Sequence, residues 1–136
     1  MEIIRLDGED QRLYPMIAHL VTDKSVLKYN LNYPFKTSDN HTWFLAVEEG
    51  NTLGFIPVEL NGAKAVINNY YVADDDSKVF SLLLKTLVHE LLPDFILESV
   101  TQVRHIPDFE QYGFSIQLRW KRYVKMQLFR NGRKRV

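Results

Sequence analysis

The chain has 136 residues, 46% of them hydrophobic and 25% charged, and its 17 Lys plus Arg balance 17 Asp plus Glu. That length suits one domain over residues 1–136 with a single core. Zero net charge argues against a globally basic nucleic-acid binder, and the absence of cysteine excludes disulfides, thiolate metal sites and a cysteine nucleophile.

The opening stretch "MEIIRLDGEDQRLYP" is acidic where a signal peptide would be basic. No segment reaches the ~20 apolar residues of a membrane span, so the expectation is a soluble cytoplasmic protein. "EIIRL" alternates like a strand. "DGEDQRLYPMIAHLVTD" follows with early acidic residues, which favour a helix N-terminus, and Leu13, Met16, Ile17 and Leu20 recur at helical spacing. "SVLKYNLNYPF" predicts a short second helix that stops before Pro34.

Strands come next. "TWFLAVEEGNTLGFIPVEL" has two apolar runs around the hairpin chemistry of "EEGN", and Asn61-Gly62 turns the chain into a third strand, "AKAVINNYYV". Asn68-Asn69 interrupts that strand as either a bulge, an edge or a polar crevice. Phe80, Leu83, Leu84, Leu87, Val88 and Leu91 mark one stripe of a helix closed by Pro93. "FILESV" reads as a strand, "IPDFEQYGF" as a short helix capped by a left-handed Gly113, and "SIQLRWKRYVKMQLF" as two strands joined near Arg119 to Arg122. The order β-α-α-β-β-β-α-β-α-β-β predicts an α/β (α+β) fold with a mixed sheet.

With these residues in this order, the chain resembles the GNAT superfamily of N-acetyltransferases over nearly its whole length. "FLAVEEGNTLGFIPVEL" is similar to the family's second and third strands. Ala65, Ile67, Tyr70 and Val72 follow its fourth-strand pattern A-x-I-x-x-L-x-V, and "DFEQYGF" follows its late aromatic-then-Gly-Phe motif. The resemblance implies a mostly antiparallel sheet of six or seven strands with helices on both faces. It implies transfer of an acetyl group from acetyl-CoA to an amine, on a small molecule or a protein, by direct attack.

It also implies a site. Tyr70, Tyr71 and Val72 would line the thioester, and the turn Asp76, Ser77, Lys78, Val79, Phe80 and Ser81 would meet the pyrophosphate. Glu98 would serve as base through water, with Glu59 and His105 as further candidates, and Tyr71 or Tyr112 as proton donors because Phe109 stands where the family often has tyrosine.

The departures lie in that same turn. The family holds pyrophosphate with small residues whose backbone N–H groups approach the phosphates at a helix N-terminus. Here the turn reads "DDDSKVFSLL". Asp74, Asp75 and Asp76 are good helix caps and repel an anion, while Lys78 and Lys85 offset part of that repulsion. Two readings stand: a turn built for capping, or one that binds the coenzyme through amides and lysines. The alternative function is therefore a catalytically inactive binding or assembly module of the same fold. It is favoured if Tyr70, Tyr71 or Phe80 fills the cleft between the fourth and fifth strands. A third reading is an acyltransferase acting on a protein or carrier through the basic last third.

The ordinary alternatives are a solvated carboxylate for Glu98, an exposed loop histidine for His105, and core packing for the aromatic residues. His19, His41, His89 and His105 lie in no metal-ligand spacing, so no metal site is expected. Arg119 and Arg122 are candidates for a coenzyme phosphate or an acidic substrate. The tail "RNGRKRV" is either an acidic-partner contact or a frayed terminus.

Overall fold

The computed structural model describes residues 1–129, so the basic tail with Arg130, Arg133, Lys134 and Arg135 lies outside the described residues. The chain runs β1 (Glu2–Asp7), α1 (Leu13–Val21), α2 (Lys24–Tyr29), β2 (His41–Glu48), β3 (Asn51–Asn61), β4 (Lys64–Ile67), β5 (Tyr71–Val72) and α3 (Ser77–Leu91). It continues through β6 (Ile96–Gln102), α4 (Ile106–Glu110), β7 (Ser115–Arg119) and β8 (Tyr123–Leu128). Short 3-10 turns over Ala73–Asp75 and Val103–His105 lead into α3 and α4.

The strands form one sheet in the order β1-β2-β3-β4-β6-β8-β7, with β5 paired to β3. Among the described residues only β4 and β6 run parallel, and every other pair is antiparallel. The expected sequence of elements is present, but the sheet has eight strands among the described residues rather than six or seven. The reason is local. Phe55 pairs with Tyr71 and Val58 with Ile67, so Asn68, Asn69 and Tyr70 lie opposite just Ile56 and Pro57. The extra residue is a bulge that splits the expected fourth strand into β4 and β5. Pro57 has no N–H to give a ladder, and bulges are where a sheet interior tolerates proline.

Helices cover both faces, as expected. Leu13 and Ile17 of α1 and Val26 of α2 bury against Leu6, Trp43, Leu45 and Phe55. On the other face the α3 stripe of Phe80, Leu83, Leu84, Leu87 and Leu91 packs on Phe44, Ile56, Val58 and Ile67. The β7–β8 hairpin folds back so that β8, not β7, pairs with β6. Gly113 takes φ 98° after α4, the left-handed conformation expected there.

Among the described residues the short β5 pairs in the sheet with Gly54 and Phe55 only. A Cβ on Gly54 would lie 2.8 Å from the Tyr71 carbonyl oxygen and 3.2 Å from Val72 Cα. Gly54→Ala should therefore push β5 off the sheet and destabilise the protein by about 1–3 kcal/mol in urea denaturation. An unchanged midpoint would show that β5 moves freely.

Candidate functional site

The parallel pair β4–β6 sets the geometry. Its register runs from Lys64 opposite Ile96 to Ile67 opposite Ser99 and then stops. Beyond it the bulge turns the chain towards β3, while β6 carries on beside β8 to Gln102. The two chains part in a V between residues 68–72 and 100–102.

That V is filled from within. Tyr70 is 1% exposed, and its phenol oxygen accepts the Gln102 backbone N–H at 3.0 Å. The same phenol lies 2.7 Å from His105 Nδ1. His105 is 2% exposed, a correction to the exposed loop histidine that the sequence offered. Its ring centroid is 4.9 Å from that of Phe80, and Phe109 sits behind, 5.8 Å from both Tyr70 and Phe80.

The mouth of the V is fastened by charge. Asp75, on the turn after β5, accepts from Tyr29 O–H at 2.6 Å and His105 Nε2 at 2.8 Å on one oxygen, and from Arg104 Nε at 2.9 Å on the other. Arg104 also lies 4.7 Å over the Tyr29 ring and bonds Gln102 Oε1. One proton arrangement satisfies every group: Tyr70 O–H donates to Nδ1, and Nε2–H donates to Asp75.

The titration directions agree with it. Burial lowers the His105 pKa and outweighs the pull of Asp75, so the ring is neutral. Burial raises the Asp75 carboxyl, but bonds from Tyr29, Arg104 and His105 outweigh it and hold the group below its ordinary range. Burial dominates at Tyr70 and keeps its phenol protonated.

The acidic turn now has a physical account. Asp76 caps α3, its carboxylate accepting the N–H groups of Lys78 at 2.9 Å and Val79 at 3.2 Å. Asp75 staples the mouth, with Asp74 beside it at φ 58° and Asp75 itself at φ 51°. Ser77 and Lys78 are exposed, Val79 and Phe80 are core, and the Ser81 hydroxyl bonds the Tyr112 hydroxyl. The amides that would meet a pyrophosphate are thus taken by Asp76. The gap that would admit a pantetheine arm holds Tyr70 and His105.

The remaining candidates are dispersed. Tyr71 points to the α1–α2 face, edge-on to Tyr29 at 5.1 Å and 5.7 Å from Phe55. Val72 is core. Glu98 is buried rather than solvated, and it accepts from Gln127 Nε2 at 2.7 Å beside Lys64 at 2.9 Å and Lys125 at 3.7 Å. Burial raises its pKa, but the bonds from Lys64 and Gln127 and the charge of Lys125 prevail and leave it a weak base. Arg119 and Arg122 are exposed on the β7–β8 hairpin.

Tyr29 and Gln102 were missed by the sequence reading, and Arg104 counted there only among the basic residues of the last third. The one signal for them is a histidine and arginine directly after a strand, which is weak. No group of three His, Cys, Asp or Glu is placed to hold a metal ion, and no helix is long and apolar enough to cross a membrane, among the described residues.

No protein-family model matches the chain, and no curated protein matches it in sequence. Solved structures do match. An acyl-CoA N-acyltransferase from Pseudomonas aeruginosa aligns at TM-score 0.73 and 14% identity, covering 94% of this chain and 99% of its own. Escherichia coli ElaA aligns at 0.70 and 15%, again over 94% and 99%. An acetyltransferase of the GNAT family from Streptococcus pneumoniae aligns at 0.67 and 14%, over 96% and 100%. The fold of this chain is that of the GNAT acetyltransferases, as the resemblance implied.

Tyr70→Phe keeps the ring but leaves the Gln102 N–H and His105 Nδ1 without the phenol. It should lower stability by about 1–3 kcal/mol in urea denaturation, and a neutral result would mean the bridge is idle. The network also fixes a pH dependence. His105 has its pKa lowered on folding, so its contribution is present above the ordinary histidine range and is lost as pH falls below it. Asp75 has its pKa lowered too, so its contribution is lost at still lower pH. Melting temperature should fall on acidification through the histidine range, and His105→Gln should flatten that first limb.

Proposed function

We propose that residues 1–136 form one GNAT-fold domain that works as a binding module, with its coenzyme wedge closed, rather than as an acetyltransferase. The observation that carries this reading is the Tyr70 phenol seated between the parted strands on the Gln102 N–H at 3.0 Å.

Magnitudes support it. Opening the wedge exposes the Tyr70 ring, worth ~1.5–3 kcal/mol. It also breaks two neutral hydrogen bonds at ~1 kcal/mol each and loosens the Asp75 staple, which is screened because that carboxylate is partly exposed. The total is about 5 kcal/mol, and a conformational cost of that size weakens a micromolar ligand into the millimolar range.

A second reading keeps the acyltransferase chemistry: acetyl transfer from acetyl-CoA to an amine of a small molecule or protein. What favours it is that the bulge and the parting of β4 from β6 are both present. It requires Tyr70 to leave the V, Asp76 to release the α3 amides, and Glu98 to shed Lys64 and Lys125.

Calorimetric titration with acetyl-CoA separates the two, with desulfo-CoA and 3′-dephospho-CoA as comparisons. The binding-module reading expects no heat below millimolar ligand. Binding near micromolar, about −8 kcal/mol, weakened by loss of the 3′-phosphate, overturns it in favour of the acyltransferase.

A further inference from the structure

The zero net charge hides a division along the chain. All 17 Asp and Glu lie in residues 1–110 with nine of the 17 Lys and Arg, while residues 111–136 hold the other eight cations and no acid. A split of that kind is a recurring sign of contact with a polyanion. Four of those eight are among the described residues: Arg119, Lys121, Arg122 and Lys125, all on the β7–β8 hairpin.

The hairpin presents them on a fixed tip. The Trp120 N–H donates to the Tyr123 carbonyl oxygen at 2.8 Å and closes the turn over Lys121 and Arg122. The Val103 N–H donates to the Arg122 carbonyl oxygen at 3.2 Å and moors that turn to the end of β6. Residues 117–122 are exposed without a break. Lys125 is paired with Glu98, as Arg104 is with Asp75. The side chains of Arg119, Lys121 and Arg122 have no hydrogen-bond or ion-pair partner among the described residues.

An aromatic ring stands among these cations. Trp120 is 48% exposed, whereas Trp43, the other tryptophan, is 1% exposed in the core. Tyr123 is half-buried at the foot of the turn. Burial raises its pKa and the Tyr33 phenol adds to that, while Arg122 and Arg104 lower it, so these three side chains stand near its hydroxyl. Tyr33 is itself exposed. Unpaired cations interleaved with exposed rings suit a single-stranded nucleic acid, whose phosphates meet the cations and whose bases stack on the rings. A membrane surface asks for more apolar area than Leu118 and Trp120 offer. An acidic protein segment, the acidic body of a second copy included, meets the cations but leaves the indole without a partner.

We infer that the tip of the β7–β8 hairpin binds single-stranded nucleic acid, with phosphates on Arg119, Lys121 and Arg122 and a base stacked on Trp120. The acidic remainder of the chain repels the same strand and confines it to this end. The inference goes beyond the binding-module reading and does not rest on it, since none of these four residues lies in the wedge.

The probes are end-labelled oligouridylate and oligothymidylate of about 12 nucleotides, titrated with the full chain and read by fluorescence anisotropy. Saturable binding of either strand is expected, with quenching of the exposed tryptophan and a loss of about tenfold in affinity between ~50 and ~200 mM salt. The tighter arm tells a ribose from a deoxyribose source. Trp120→Ala should weaken binding about fivefold or more and remove the quenching, while Trp120→Phe, which keeps a ring, should retain most of the affinity. Arg119→Gln combined with Arg122→Gln should weaken binding and lower the log–log salt slope by about 1. No saturable binding of either strand at about 100 μM protein, unchanged affinity in Trp120→Ala, or equal affinity for inorganic polyphosphate, which has the charge without the bases, overturns the inference. So does binding of phosphatidylserine vesicles, or a salt-sensitive dimer, by a protein that takes up neither strand. Each variant's 1H–15N spectrum shows whether it is folded, so lost binding is scored only on a native pattern. Acetyl-CoA is absent throughout, which keeps this outcome separate from that of the calorimetric titration.

Discussion

The hydrogen bond from the Gln102 N–H to the Tyr70 phenol answers the one structural problem this sheet creates for itself. Parting two parallel strands strips backbone groups of their partners, and buried backbone groups must be satisfied somewhere. In a fold that takes a ligand into such a gap, the ligand can supply the missing partners. Here a side chain does it. The phenol reaches across from the bulge, accepts the amide N–H, and donates its own O–H to His105 Nδ1. The ring fills the volume, and the hydroxyl satisfies the polarity. Everything else at the wedge is arranged around holding that ring: Phe80 and Phe109 press on it, and His105 is kept in one tautomer by Asp75.

The acidic turn follows from the same constraint. A helix N-terminus attracts an anion, and either a bound phosphate or the chain's own carboxylates can meet it. Asp76 occupies the first-turn amides of α3. Asp75 faces the other way and gathers Tyr29, Arg104 and His105 from two other segments. Its charge is stabilised by three donors rather than by a mobile ligand, at a site that is partly exposed on the Asp75 and Arg104 side and buried at His105. No buried side-chain polar atom lacks a partner among the described residues, which is the condition such a network must meet.

How much of this was legible in the sequence depends on period. The α3 stripe, the hairpin turns and the two last strands are written in local spacing, and the fold follows from them. Asn68-Asn69 marked an interruption, with a bulge as one of three readings, because two polar residues inside an apolar strand need a reason. The reach of Tyr70 was not legible: a phenol in a strand reads as packing until the residue opposite its oxygen is known, and Gln102 is 32 residues away. His105 and Arg104 were opaque because a loop has no periodicity to reveal which side is buried. Glu98 was placed on the right strand, but its neutralisation depends on Lys125 of β8, and the insertion of β8 between β6 and β7 is a long-range choice that spacing does not encode.

The wedge and the loop after α2 share an anchor. Tyr29 and Asn30 are consecutive residues where α2 ends. Tyr29 fastens Asp75 at the wedge, and Asn30 fastens Asn69 and the Tyr33 carbonyl. The bulge is common to both as well, since Asn69 bonds Asn30 and Tyr70 bonds the Gln102 N–H from the same bulge. Both sets of bonds are therefore tied to one helix end and one bulge. A displacement that frees Tyr29 from Asp75 acts on the next residue, and Asn30 cannot shift without giving up its two bonds. The helix end that fastens the wedge through Tyr29 thus also ties the bulge to the loop after α2 through Asn30.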